Sequence, residues 1–294
     1  MRADAHLRQL TEALKETLTR CAHDPDVDAV HNTRTGTRRI EAALEAALRN
    51  AVLQGAEGGD LQMSAARAWE RLLRRVRRAA APVRDLDVQR RLLKKLVPED
   101  AAAQGGEARS ELAEQAEKLD HALHTERDER AAPLKKSAAK WSAKMDEHFL
   151  AFADVMAQGR AWRRGKPDAA RAALDAFARL ATRMQQLDAG NLHDFRKGAK
   201  KSRYMAEAGA GNAHADAVGK ALKRLQDAIG DWHDWLMLAD EAHRYLGEDG
   251  AGLTEEIERE RDERFAAAMK LTTRMRGKLM GEWLGTRRSG RGFA

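Results

Sequence analysis

Two short runs in this 294-residue chain place a histidine ahead of regularly spaced cations. The first reads His31-Asn32-Thr33-Arg34-Thr35-Gly36-Thr37-Arg38-Arg39. The second reads His193-Asp194-Phe195-Arg196-Lys197-Gly198-Ala199-Lys200-Lys201. Both follow the pattern His-x-x-Arg-x-x-x-basic-basic. A second pair lies downstream: Leu73-Arg74-Arg75-Val76 matches Leu222-Lys223-Arg224-Leu225. Ten residues after Arg74 and Lys223 come Arg84-Asp85 and His233-Asp234. The first pair is offset by 162 residues and the second by 149, in the same order, which is the mark of an internal duplication. A longer loop around 54–60 and a longer helix in the first half account for the difference.

Arginine offers bidentate forks to oxyanions, lysine offers a point charge, and histidine gains a proton beside an anion. At 100° per residue, His31, Arg34 and Arg38 fall within roughly 60° of one another on a helix, with Thr35 and Arg39 on their flank. Val30, Ile40, Leu44, Ala47 and Leu48 form a separate apolar arc. In the second copy His193, Arg196 and Lys200 align, flanked by Lys197, Lys201 and Tyr204. There Leu192, Phe195, Ala199 and Ala206 form the stripe. Like charges one turn apart repel by a few tenths of a kcal/mol per pair, so a face of cations is unfavourable alone. A solvated face is the ordinary explanation of such a run. The recurrence in matching order and the absence of acids from the face argue for a ligand.

The charge is unevenly spread. Lys and Arg total 53 against 46 Asp and Glu, a formal net charge of +7. Residues 31–39, 67–95, 193–203 and 220–224 carry +3, +8, +4 and +3, together +18, which leaves −11 on the rest of the chain. Positive potential concentrated in four segments of an acidic scaffold suits a multiply charged anion.

The elements that position these segments are helical. Only five prolines, 5% aromatics and 34% charged residues, with abundant Ala, Leu, Glu, Arg and Lys, exclude a sandwich or barrel and a Pro-rich linker protein. No segment sustains the period of two expected of a strand. The breakers divide the chain into about eleven helices. They are expected near 3–21, 25–54 (with Asp24 as cap before Pro25), 60–81, 84–97, 104–130 and from Pro133 to about 158. They continue near 167–188, 190–209, 213–230, 232–246 and 250–284. Gly55, Gly58 and Gly59 end the second helix, Pro82 ends the third, and Gly165-Lys166-Pro167 links the halves. The last residues, Arg287 to Ala294, are expected to fray.

These residues resemble the CHAD family, named for histidines in an α-helical domain. The segment from Leu192 through His193, Arg196, Lys200, Lys201, Arg203 and Tyr204 to Glu207 is similar to the family's His-x-x-Arg-x-x-x-Lys-x-x-Arg-Tyr-x-x-Glu helix. Leu225-Gln226-Asp227-Ala228-Ile229-Gly230-Asp231-Trp232-His233-Asp234 resembles its downstream element, and residues 30–39 and 83–88 match the first-half elements. The resemblance covers about residues 5–280. It implies a single all-α domain over 1–294, made of two antiparallel helical bundles related by a pseudo-twofold repeat. The halves would be 1–160 and 167–284, with 285–294 as a tail. It implies a central basic cavity or channel that binds inorganic polyphosphate without catalysis. Carried over by position, the phosphate contacts are His31, Arg34, Arg38, Arg39, His193, Arg196, Lys197, Lys200, Lys201 and Arg203. Arg74, Arg75, Arg78, Arg84, Lys220, Lys223 and Arg224 are second contributors. Asp85 and Asp234 are expected at helix starts as caps, or as polar support for the site. The chain departs from the family at Glu41, where a further Arg is common and whose presence weakens or re-aims the first-half site. It also departs at Ala81-Pro82, where Leu-Gly is usual.

Other chemistries leave weaker traces. His121 and His124 have i, i+3 spacing, yet no HExxH motif, cysteine cluster or carboxylate partner accompanies them, so no metal and no cofactor are expected. There is no Walker-type glycine loop and no grouped carboxylate set for Mg²⁺, which counts against a polyphosphate- or triphosphate-processing enzyme. A nucleic-acid binder stays open, because phosphate charge drives both kinds of binding. Few aromatics interleave with the basic runs, apart from Phe195 and Tyr204. Tryptophans, and methionines such as Met269 and Met275, are expected in packing roles. The single cysteine, Cys21, suits a reducing compartment. No apolar leader and no ~20-residue apolar stretch appear, so a cytoplasmic location is expected, with association to polyphosphate granules and no membrane partner.

Overall fold

The computed structural model describes residues 3–53, 59–98, 107–158, 168–207, 209 and 211–289. Among them the chain is all α-helical, with no strand. The elements are α1 (Ala3–His23), α2 (Val27–Leu53), α3 (Gly59–Leu96), α4 (Glu107–Gln158), α5 (Ala169–Arg183), α6 (Leu192–Glu207), α7 (Ala213–Leu246) and α8 (Ala251–Ser289). A 3-10 turn, Gly247–Gly250, precedes α8. Gly55, Gly58, Trp162 and the Gly165-Lys166-Pro167 link lie outside the described residues, as do 290–294. Residues 285–289 continue α8.

Three expected breaks do not occur, so the described residues hold eight α-helices rather than about eleven. Pro82 lies inside α3 and Pro133 inside α4. At Pro82, buried Val76, Ala80, Val83 and Leu86 keep one apolar side through the proline. At Pro133, Ala131, Leu134 and Ala138 do the same. Pro133 itself is exposed, so the carbonyl that loses its partner can be hydrated. α7 likewise runs straight through Gly230. At the start of α2 the cap is Asp26 rather than Asp24. Its Oδ1 accepts from the N–H groups of Asp28 at 2.9 Å and Ala29 at 2.8 Å. The Ala29 bond above all holds the Asp26 carboxyl below its ordinary range.

The chain forms two compact units: Met1–Val88 with Leu123–Lys166, and Gln89–Ala122 with Pro167–Ala294. α3 and α4 therefore contribute to both. The first unit is built on Leu14, Leu18, Ile40, Leu44, Leu73 and Val76 around Trp69. The Trp69 ring stands 6.2 Å from each of Phe149 and Phe152. In this unit Asp87, its side chain 1% exposed, pairs with Arg127 at 2.9 Å, and Arg127 donates to the Pro25 carbonyl at 2.6 Å. That pair pins α4 to α3 and to the turn before α2.

The second unit packs Leu174, Phe177, Phe195, Leu222, Leu225, Ile229 and Trp232. Phe177 meets Phe195 edge-on at 5.9 Å. Asn212 caps α7 by accepting from the N–H groups of His214 and Ala215. Arg276 of α8 donates to the carbonyls of Ala181 at 2.6 Å and Gln185 at 2.9 Å, closing the end of α5. Trp283 donates to Asp175 at 2.8 Å. Met275 is buried and Met269 packs on the same core, as expected of methionines in helical stripes.

Candidate functional site

In the first unit, α2 buries Val30, Thr33, Thr37, Ile40 and Leu44. The opposite side carries His31 and Arg39 exposed, with Arg34 and Arg38 half-buried. Arg34 reaches Asp85 of α3, Nη2 to Oδ1 3.7 Å. Its Nε is buried and makes no hydrogen bond among the described residues. Arg77 of α3 pairs with Glu41 of α2. The 34–85 and 41–77 contacts run in opposite directions along the two helices, so α2 and α3 are antiparallel.

In the second unit, α6 buries Leu192, Phe195, Ala199, Ser202 and Ala206 and presents its cations on the other side. Arg196 is placed by α7. Its Nε donates to the carbonyl of Gln226 on α7 at 2.9 Å. A Cβ at Gly230 would lie 2.7 Å from Nη2 of Arg196 and 3.2 Å from its Cζ. The glycine is the space in which the guanidinium lies across α7. This accounts for a glycine inside a continuous helix, where it otherwise costs roughly 0.5–1 kcal/mol relative to alanine.

His193 packs against His233 of α7, ring centroids 4.0 Å apart. Burial, then the neighbouring His233, Lys197 and Arg196, push His193 down from 6.5 to about 4. Its imidazole is therefore neutral at pH 7, and its buried Nδ1 makes no hydrogen bond among the described residues.

The other expected contacts divide into two groups. Arg39, Arg74, Arg75, Arg78, Lys201, Lys220 and Arg224 are exposed and form no ion pair among the described residues. Lys197 pairs with Asp194 at 3.0 Å, Arg203 with Glu207 at 3.0 Å, and Lys223 with Asp227 at 2.5 Å. His31, Arg38, Arg84 and Lys200 each engage neighbouring groups. The pairs of Lys197 and Lys223 are exposed and individually weak, so an anion can displace the carboxylate.

Asp85 and Asp234 are not caps. Both lie within helices, α3 and α7, because those helices do not break at Pro82 and Gly230. Asp85 supports the site by facing Arg34. His233, Gly230 and the Gln226 carbonyl were not expected as site groups. The sequence held a signal for His233, which falls at the position of Arg84 in the downstream repeat. Nothing in the pattern distinguished Gly230 from a helix breaker.

Among the described residues, no group of three or more His, Cys, Asp or Glu is arranged to hold a metal ion. His121 and His124 are both exposed on α4. No described helix is long and apolar enough to cross a membrane.

The CHAD domain family model matches residues 2–243 of the chain. Among solved structures, the CHAD domain from the plant Ricinus communis superimposes with a TM-score of 0.54 at 21% identity, covering 94% of this chain and 89% of that one. At that identity the likeness shows the fold alone. No curated protein matches the chain. With the family model spanning well over half of the residues, on the all-helical fold of a solved CHAD domain, the chain belongs to the CHAD domain family.

Proposed function

We propose that this protein binds inorganic polyphosphate without catalysis, through the cationic faces of α2 and α3 in one unit and of α6 and α7 in the other. The CHAD family is associated with polyphosphate binding. The observation that carries the reading to particular residues is the seat of Arg196, held across Gly230 by the Gln226 carbonyl. A guanidinium fixed in this way is preorganised, so less of its freedom is lost when a phosphate binds. On the same two helices Lys200, Lys201, Lys220 and Arg224 add positive charge, and Lys197, Arg203 and Lys223 can exchange a carboxylate for a phosphate. In the first unit Arg34, Arg38, Arg39 and His31 on α2, with Arg74, Arg75, Arg78 and Arg84 on α3, do the same work. Each phosphate of the chain bears about one charge, and neutralising several releases their counterions, which makes the affinity steeply salt-dependent. We take the setting to be the cytoplasm, with polyphosphate granules as a place of action.

The test is a titration with long-chain polyphosphate at low and moderate salt, with single-stranded DNA as competitor. Saturable binding that weakens steeply with salt, and that DNA fails to displace at equal phosphate concentration, supports the reading. Displacement by DNA would make the protein a nucleic-acid binder. Orthophosphate release in Mg²⁺, abolished by His193→Ala, would make it an enzyme.

A further inference from the structure

On α2 the face that begins with His31, Arg34 and Arg38 continues, at 100° per residue, through position 41 to position 45. Those positions hold Glu41 and Glu45, so the face changes sign after two turns. On α6 the corresponding line runs His193, Arg196, Lys200, Arg203 and then Glu207. By the 162-residue offset Glu41 stands where the second copy has Arg203, and by the 149-residue offset Arg77 stands where it has Gln226. The two substitutions meet: Glu41 and Arg77 form an ion pair across α2 and α3, each side chain 26% exposed. A third carboxylate, Glu70, lies beside them. Burial and the charges of Glu41 and Glu45 hold it above its ordinary range, against the pull of Arg74.

We infer that Glu41 is an internal counter-anion: it occupies Arg77 and, with Glu45 and Glu70, ends the phosphate-binding face of the first unit one turn earlier than that of the second. This rests on the polyphosphate reading above. A phosphate entering beyond Arg38 meets a carboxylate on α2 and an arginine already neutralised. Removing the Glu41 charge leaves Arg77 facing that end of the track. One more cation then becomes available to the ligand and one repulsion disappears.

The experiment is a polyphosphate titration of the wild type, Glu41→Gln and Glu41→Ala over a range of salt concentrations. Glu129→Gln serves as control, since it removes an equal charge from an exposed position of the same unit that forms no ion pair among the described residues. Both Glu41 variants are expected to bind about fivefold more tightly than the wild type. The magnitude of their log–log salt slope should rise by close to one, as for one added phosphate contact. Glu129→Gln should change neither by a comparable amount. A wild type that binds, with Glu41 variants no tighter than Glu129→Gln, overturns the inference and leaves the polyphosphate reading standing. A wild type that does not bind overturns the reading itself. Since the sought effect is a gain, loss of folding in one variant cannot imitate it, and the second variant repeats the test.

Discussion

The cationic faces of α2 and α6 start from the same residues and are built differently. On α6 the central arginine is immobilised: Arg196 lies on the backbone of α7 in a space left by Gly230, bonded to the Gln226 carbonyl. On α2 the equivalent Arg34 meets, among the described residues, only the Asp85 carboxylate, at 3.7 Å. By the downstream offset Ala81 stands where α7 has Gly230, and Arg77 where it has Gln226. The histidines differ as well. His193 is half-buried against His233, whereas His31 is exposed. The shared motif therefore encodes a face, while the partner helix decides how sharply that face is held and how far it extends. The second unit should be the higher-affinity seat for polyphosphate and the first a looser, shorter one.

The largest effect should come from deleting the centre of each face. Arg196→Ala with Lys200→Ala is expected to weaken polyphosphate binding by about thirtyfold, and Arg34→Ala with Arg38→Ala by about fivefold. Equal losses, read by titration at one salt concentration, would erase the distinction between the units.

Gly230→Ala comes next. The methyl group would strike the Arg196 guanidinium at 2.7 Å and lift it off α7, so affinity should fall about tenfold while helix content by circular dichroism is retained. The reverse change at the matching position, Ala81→Gly, should leave affinity within about twofold and slightly lower the melting temperature, because glycine inside a helix is unfavourable. A G230A variant that binds as wild type would show that the seat of Arg196 is mere packing.

The histidines give a smaller, pH-dependent contrast. His193 titrates near 4 in the free protein, below its ordinary 6.5. A phosphate beside it favours the imidazolium and raises that value. Affinity should therefore increase as the pH falls from about 7.5 towards 5.5, with proton uptake measurable by calorimetry in buffers of different ionisation enthalpy. His193→Gln should flatten the rise. The same depressed value works against folding in acid. The unfolded chain takes up the proton first, so stability is lost as the pH falls from about 6.5 towards 4. His193→Gln should remove that loss. A His193→Gln affinity equal to that of the wild type from about pH 7.5 down to about 4.5 would sever His193 from the ligand.

Much of this architecture could be read from residue spacing. The apolar stripes of α2 and α6 predicted which sides are buried, and the basic arcs opposite them are where the cations lie. Charge counting located the segments but could not show which charges are neutralised. Glu41 meets Arg77 only through the packing of α2 on α3, whereas Arg203 with Glu207 is a pair one turn apart on α6 that spacing alone allows. Helix ends were misjudged where a breaker residue is overruled by its surroundings. Pro133 faces water, so the carbonyl it leaves unpaired can be hydrated. At Gly230 a breaker signal turned out to be a vacancy for a side chain thirty-four positions earlier in the chain. A pattern confined to neighbours cannot show that, because the reason for Gly230 is Arg196.

The central claim concerns the seat on α6 and α7, and a crystal structure with a polyphosphate chain bound tests it most directly. Phosphate oxygens should lie within about 3 Å of the Arg196 guanidinium and the Lys200 ammonium. Arg196 should remain on the Gln226 carbonyl, and Arg77 on Glu41. Polyphosphate bound to the chain but absent from α6, lying only along the exposed charges of α8, would contradict the account.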